Sequence, residues 1–547
     1  MTTKTGADAI VESLISNDID TIFGLPGGQL DHLFDSIHRA GDKLQLIHSR
    51  HEQGAAYMAF GYAQTTGKPG VYTVVPGPGM LNTTAALCTA WACNSPVMAI
   101  IGQLNLTEIG SGYGHLHEID DQLGLIRHLT KWAERIENAA DTPRLMRRAL
   151  EEVQSGRPRP VEIEMPMDVM GDPTEIGPAE KASPVAPPTI DDDLVRDAAK
   201  LLSNAKRPMI VIGSGVLHAG EALLAVAERL QAPVMSKRKG KGVVSDEHYL
   251  AQNLPAGHRL WGEADAVLAV GTRLKMPLTM WGKDDDLKLV RIDIDEDELT
   301  RICEPDVGIL GDAVLALEAI ANELDRIGGA VASREDELKA LKSSVGADIR
   351  AHVGPQKAYL DAIRDVMPTD GIFVDEVTQV GFVSWYGFPV YKPRQFVSAA
   401  QQGTLGYGFA TALGVAAAHP DKPVVSVNGD GGFMFTIQEM ATAVKYQLNL
   451  VAIVFNDNTY TNVQRQQDEW FQGRRICSDL TNPDFVKLGE SFGASAYRID
   501  SPQALRDLLP RAFSEQGPTL IEVSLTERFP TPWRFILMEQ NRKALCA

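Results

Sequence analysis

The sequence predicts an α/β protein built as about three doubly wound, parallel-sheet domains, and three observations carry that expectation. The chain has 547 residues, more than one hydrophobic core fills. Apolar runs of strand length alternate with stretches of helical periodicity over most of it. The strand runs stop repeatedly at glycine, amide or acidic loops and restart as helices, as βαβ units do. Composition sets the outer bounds. With 52 basic and 71 acidic residues the formal charge is −19, which argues against a nucleic-acid or anionic-membrane partner, since both need basic surface. No apolar run reaches about 18 residues, and Met1 to Gly6 lack a signal-peptide core, so a cytoplasmic protein is expected. The five cysteines, Cys88, Cys93, Cys303, Cys477 and Cys546, show no zinc-type spacing; Cys88 and Cys93 fall in an apolar helix and are expected to be buried.

The first domain takes residues 1–170. Ala9, Ile10, Ser13 and Leu14 begin an amphipathic helix, Thr21 to Gly24 form a short strand, and Leu25-Pro26-Gly27-Gly28 is a loop before a helix from Leu30 to Ile37. Leu44 to His48 reads as a strand that delivers Ser49-Arg50-His51-Glu52-Gln53-Gly54 to its carboxyl end, with a helix from Ala55 to Gln64. Glu52 in that place either complements a helix dipole or points into a crevice, and the residue alone leaves both open. Val71 to Val75 leads into Pro76-Gly77-Pro78-Gly79-Met80-Leu81-Asn82, and Gly114-His115-Leu116-His117-Glu118 reads as a loop.

Gly171 to Asp193 is rich in Pro, Glu and Ala, lacks periodicity and reads as a linker. A central domain over 194–346 follows, with strands Met209–Gly213, Ala266–Val270 and Leu289–Ile294 and a helix Glu221–Leu230. Its Gly213-Ser214-Gly215 is by itself weak evidence for a nucleotide. A charged helix, Ser333–Lys342, precedes a third domain over 355–547. There the strand Gly371–Val374 ends in Asp375-Glu376, and Ala399 to Gly408 forms a glycine-containing loop.

The most specific stretch is Val424 to Tyr460. A strand ends in Asn428-Gly429-Asp430-Gly431-Gly432; Ile437, Met440, Ala441, Val444 and Leu448 follow at helical spacing; a second strand, Leu450 to Phe455, stops at Asn456-Asp457-Asn458-Thr459. Consecutive parallel strands put their carboxyl ends on one sheet edge, so Asp430 and Asp457 can converge there. Two carboxylates and a backbone carbonyl make a hard oxygen site for Mg²⁺, completed by water or phosphate oxygens. The glycines beside Asp430 let backbone N–H groups approach a phosphate. A metal diphosphate is the expected ligand.

Gly-Asp-Gly, a helix, a strand and then an amide-rich loop resemble the signature of thiamine diphosphate (ThDP)-dependent enzymes, and Arg50-His51-Glu52-Gln53-Gly54-Ala55-Ala56-Tyr57-Met58-Ala59 resembles their glutamate segment. The resemblance covers essentially the whole chain. It implies pyrimidine-binding, central and diphosphate-binding domains, with metal ligands Asp430, Asp457 and the Thr459 carbonyl; Asp457 departs from the family's usual asparagine. It makes Glu52 the partner of the pyrimidine N1′, favouring the imino tautomer that takes the thiazolium C2 proton. Gly28, Pro78 and Asn82 line the pyrimidine side, Gly403 and Thr404 flank Leu405 as the wedge between the two rings, and Gly429, Gly431, Gly432, Tyr460 and Thr461 complete the diphosphate side.

Within that family the chain is most similar to acetolactate synthases. His117 stands where those enzymes carry glutamine, and Asn462 and Gln466 stand where they carry Met and Trp, so His117 and Gln466 join Glu52 as catalytic candidates. Pro166-Met167-Asp168 replaces their Pro-Lys-Asp. A more polar substrate pocket follows. The family's central domain holds FAD, ADP or nothing; the run associated with FAD is not evident between Gly240 and Gly262, and FAD is not favoured. The resemblance implies a homodimer or homotetramer with the cofactor between the first domain of one subunit and the third of another. It also implies carboligation of 2-oxo acids or aldehydes through a cofactor-bound enamine, giving acyloins or acetohydroxy acids. A 2-oxo acid decarboxylase, a 2-hydroxyacyl or aldehyde lyase, diketone cleavage and a non-catalytic homologue are the alternatives. The last is disfavoured by Glu52, Asp430 and Asp457.

Overall fold

The computed structural model describes residues 1–542; Cys546 lies outside them. Three six-stranded sheets, every neighbouring pair parallel, lie one after another along the chain. The first runs Gln45–His48, Thr21–Gly24, Gly70–Val74, Val97–Gln103, Val161–Pro166, Trp132–Arg135. The third runs Phe396–Val397, Ile372–Val374, Val424–Gly429, Val451–Asn456, Thr519–Ser524, Ser495–Ile499. Numbered within each sheet, both have the order 2-1-3-4-6-5. The central sheet has the order 3-2-1-4-5-6, that of dinucleotide-binding folds, with its switch point between Pro208–Ile212 and Ala266–Val270.

Strands covered by helices on both faces should read as continuous apolar runs, and all seven residues of Val97–Gln103 are buried. Two apolar clusters fasten the domains together. One joins Phe23, Tyr57 and Phe60 of the first domain to Tyr407, Phe409 and Phe433 of the third. The other joins the central domain to the opposite face of the third sheet, through residues such as Trp261, Ile363 and Phe373. The tightest junction crosses the helices Glu52–Thr66 and Tyr407–Ala418. Gly61 faces the Thr411 carbonyl and Gly414 the Met58 carbonyl, so closely that a Cβ at either glycine would land on that carbonyl.

Several boundaries differ from the sequence reading. The helix expected from Ala55 begins at Glu52, because the His51 ring accepts the Gln53 N–H and caps it. The supposed linker contains a strand, Thr174–Ile176, paired antiparallel with Thr2–Lys4. The charged helix continues from Glu335 to Val366, kinked at Val353 two residues before Pro355, so the central and third domains meet inside one helix. The helix after Gly432 is broken into Asp430–Phe433, Ile437–Glu439 and Met440–Lys445. Its buried positions are Glu439, Met440, Thr442 and Ala443, while Ile437, Ala441 and Val444 are only half-buried: the polar residues are covered by the first domain. Among the described residues no helix is long and apolar enough to cross a membrane.

Candidate active site

On the first sheet, three strand ends share one edge and carry Gly28, Glu52 and the Pro78–Asn82 turn. Glu52 is the first residue of its helix. Its carboxylate accepts a hydrogen bond from the Asn82 amide at 3.0 Å and lies 3.9 Å from the His51 ring. Proline at the first position of Pro78–Asn82 starts that helix with no N–H to satisfy. Gly77, at φ +59°, donates its N–H to the buried Gln122 side chain at 2.8 Å and packs against the His117 carbonyl where a Cβ would sit. Gln122 in turn donates to Glu164, which pairs with Arg135. His117, at φ +69°, therefore touches the turn that carries Asn82, and its Nδ1 is buried without a partner. Its loop is gathered by Glu118, which accepts the N–H groups of Gly112, Gly114 and His115 at 2.7 to 2.9 Å, and those bonds, led by His115, hold the Glu118 carboxyl below its usual range. Gln122 is the residue here that sequence reasoning missed; it is ordinary until the fold sets it under Gly77. Gly28 opens onto free space, exposed at the start of a single 3₁₀ turn.

The third sheet brings the other group together. Asp430 and Asp457 follow the ends of the paired strands Val424–Gly429 and Val451–Asn456. Asp430 is buried, and burial together with the charge of Asp457 pushes its carboxyl up to about 6, an arrangement that a cation would relieve. Asp457 accepts the N–H and hydroxyl of Thr459 at 3.1 and 3.0 Å and the hydroxyl of Thr461. The backbone here pairs Tyr460 N–H with Ser478 and Leu480 N–H with Asn458, and neither bond uses the Thr459 carbonyl. Gly431 packs where a Cβ would strike the Tyr460 ring. Asp430–Phe433 is one turn long, so an anion at this loop would meet local N–H groups rather than a helix dipole. Among the described residues no three His, Cys, Asp or Glu side chains gather as a metal centre, so the pair needs backbone and phosphate oxygens to complete a coordination shell. The donor set is nevertheless of the hard oxygen type that suits Mg²⁺.

Sequence reasoning missed Asn482. Its amide donates to Asp430 at 2.6 Å, Asn456 at 3.0 Å and Asn458 at 3.2 Å, which orients all three oxygens; nothing in its local sequence distinguishes it. Leu405 is half-buried, between Gly403 at φ +55° and Gly406 at φ +80°. Thr404 bonds Thr89 of the first domain at 3.2 Å. Beneath the loop, Glu376 accepts the N–H groups of Gly406 and Gly408 at 3.1 and 2.9 Å, and burial pushes its carboxyl up to about 8. Asp375, pushed up to about 7 by burial, accepts from Trp385 and Tyr407. Asn462 is half-buried, its oxygen held by Trp533 at 2.8 Å and by Arg465; Gln466 lies one turn on, also half-buried. Among the described residues no hydrogen bond or ion pair joins the Glu52–Asn82 pair to the Asp430–Asp457 loops. The two groups stand on separate sheets as candidate half-sites.

A third feature lies at the central switch point. A crevice of about 960 Å³ is lined by Gly213-Ser214-Gly215 and by Arg157, Lys237, Lys239 and Arg273. Burial brings both Lys237 and Lys239 down to about 8.

Three family descriptions match the chain in order: thiamine pyrophosphate enzyme N-terminal TPP binding domain over residues 4–125, central domain over 195–320, and C-terminal TPP binding domain over 376–523; thiamine pyrophosphate is ThDP. A probable acetolactate synthase large subunit of Methanococcus aeolicus is 33% identical over 95% of this chain and 92% of its own length. A probable 2-ketoarginine decarboxylase of Pseudomonas aeruginosa is 33% identical over 95% and 94%. The acetolactate synthase large subunit of Haemophilus influenzae is 31% identical over 93% and 92%. With family matches in order across all three sheet domains and a relative 33% identical over 95% of the chain, the chain belongs to the ThDP-dependent enzymes.

Proposed function

We propose that the chain is a ThDP- and Mg²⁺-dependent carboligase of the acetolactate synthase type, joining a 2-oxo acid to a second 2-oxo acid or aldehyde. The observation that carries this reading is the full-length likeness to acetolactate synthase large subunits combined with the Glu52 and Asp430–Asp457 half-sites. When bound, ThDP supplies a nucleophilic thiazolium carbon that also accepts the electrons released as CO₂ leaves. The residues of this chain do the rest. Glu52, oriented by Asn82, would bond the pyrimidine ring; Asp430, Asp457 and the Thr459 carbonyl would hold Mg²⁺ with the diphosphate; Leu405 would pack against the cofactor as its wedge. His117 and Gln466 would serve the substrate side, where a histidine can give or take a proton.

The half-sites support a homodimer, in which Glu52 of one copy meets Asp430 of the other. Exposed apolar side chains flank both halves: Leu81 and Leu116 beside Asn82 and His117, Met434 and Phe435 just after Gly432. The basic central crevice supports an anionic occupant with phosphate groups, of the FAD or ADP kind; a flavin absorbance band in the purified protein separates the two.

A second reading, 2-oxo acid decarboxylation, is favoured by one feature. Asn462, locked by Trp533 and Arg465, and Gln466 line the cover with amides, and one relative is named a 2-ketoarginine decarboxylase. Product analysis by NMR decides between them. Purified protein with ThDP and Mg²⁺ is given pyruvate, glyoxylate, benzoylformate and 2-ketoarginine, singly and in pairs. A new hydroxyketone or acetohydroxy acid is expected; aldehyde and CO₂ alone would move the assignment to a decarboxylase.

A further inference from the structure

The helical segment after the Asp430 loop serves a neighbour as well as its own sheet. Over residues 437–446, Glu439, Thr442 and Tyr446 take up main-chain groups of residues 46–51 in the first domain. The fully buried Glu439 carboxylate accepts the Arg50 N–H, 3.1 Å from each oxygen, and the His51 N–H at 3.0 Å; the Thr442 hydroxyl donates to it at 2.7 Å. The Tyr446 hydroxyl accepts the His48 N–H at 3.1 Å and donates to the Leu46 carbonyl at 3.3 Å. Gly54 leaves room for this, since a Cβ there would land on the Glu439 carboxylate. The next residue after His51 is Glu52.

Buried N–H groups at a strand end need acceptors, and a serine or asparagine of the first domain would suffice. A carboxylate is a costly acceptor: burial pushes Glu439 up to about 7. What it adds is one acceptor group that takes two successive N–H groups, carried on the Ile437–Glu439 turn that follows the Asp430 loop in sequence. These bonds hold the main chain that leads into Glu52.

We propose that Glu439, assisted by Tyr446, is the positioning residue for Glu52, holding the Arg50–His51 main chain so that the first residue of the helix presents its carboxylate in one direction. This rests on the reading of Glu52 as the partner of the cofactor pyrimidine. A misplacement of about 1 Å at a reacting group costs on the order of 10²-fold in rate.

The test uses the full chain saturated with ThDP and Mg²⁺, and reads the exchange rate of the thiazolium C2 proton by quenched NMR, ThDP affinity by calorimetry and the unfolding midpoint. Glu439→Ala should slow exchange per bound cofactor by about 10²-fold. Glu439→Gln, which keeps an acceptor oxygen, should recover to within about tenfold of wild type. The double variant Glu52→Gln with Glu439→Ala should exchange no more slowly than Glu52→Gln alone, because both lesions act through one carboxylate. A Glu439→Ala protein that melts earlier yet exchanges at the wild-type rate, or a double variant slowed by the product of the two effects, overturns the proposal. If Glu439→Ala does not fold, Tyr446→Phe decides it: slower exchange supports positioning, and unchanged exchange rejects it. Wild-type exchange in Glu52→Gln itself would remove the reading of Glu52, and this proposal with it.

Discussion

Glu52 and Asp430 are both carboxylates at strand-to-helix junctions, but their surroundings divide the work. Glu52 stays half-open with one amide donor, as a group that must bond a ligand ring does. Asp430 is buried beside a second carboxylate and pushed up to about 6, as a group waiting for a cation is. Glu52→Gln is expected to leave ThDP affinity within about threefold of wild type while C2 exchange falls by orders of magnitude; unchanged exchange rejects the role. Asp430→Ala should weaken Mg²⁺-dependent ThDP binding by about 10²-fold or more in calorimetry, the loss of one ionic ligand of roughly 3 kcal/mol; an unaltered affinity would remove the metal assignment. Both residues could be picked out in sequence because each sits in a run of specific neighbours. Asn482, Gln122 and Glu439 could not, since the partners that mark them out, Asp430, Gly77 and Arg50, lie 52, 45 and 389 positions away.

Whole helices and strands obey the same physics. The crossing of Glu52–Thr66 with Tyr407–Ala418 depends on backbone-to-backbone approach at Gly61 and Gly414. Gly414→Ala should cost about 1–3 kcal/mol through overpacking, read as a lower midpoint in chemical denaturation; a neutral result would mean that the helices can part freely. In the strand Val161–Pro166, Glu162 is fully buried with neither carboxylate oxygen partnered, and burial, then the nearby Glu164, pushes its carboxyl well above the usual range. A carboxyl raised on folding stabilises fully below its ordinary value, and that contribution is lost as pH rises through the raised one. Glu162→Gln, which carries no charge to bury, should therefore gain on wild type as pH rises from 5 to 8, by about 2–4 °C in Tm for each ~1 kcal/mol lost. A difference that stays flat with pH would show that Glu162 does not titrate in this range. The sequence reading did not single out this strand, whose Val161, Ile163 and Met165 alternate with Glu162 and Glu164, all of them buried.

The molecule as a whole presents two half-sites on two sheets of the same 2-1-3-4-6-5 order, fused by a continuous core. In a two-fold dimer each complete site would take one half from each copy. Mixing Glu52→Gln and Asp430→Ala chains under refolding or co-expression then gives heterodimers with one doubly damaged and one intact site. Such a mixture should recover about half the wild-type activity per heterodimer. If the halves met within one chain, each site would keep one lesion and activity would stay at the level of the single variants. In the two-fold dimer the Glu439 segment, which bonds the Arg50–His51 main chain of its own copy, would follow an Asp430 that belongs to the other site.

Local pattern determined the α/β class, three domains and the two acidic strand ends, because strand period, glycine turns and parallel βαβ connections are written in neighbouring residues. It also placed the Glu52 junction, though three residues too late in the helix start, since the His51 cap reads as an ordinary loop histidine. Only the tertiary structure decided which face of the segment after Asp430 is buried. Periodicity pointed to Ile437, Met440, Ala441, Val444 and Leu448, of which Met440 and Leu448 are buried; Glu439 and Thr442 are covered as well, because another domain supplies main-chain groups that a sequence window cannot see. It alone set Asn482 against Asp430 and Glu439 against the main chain before Glu52. Those are distances between remote segments, fixed by how three cores pack rather than by any residue's own preference.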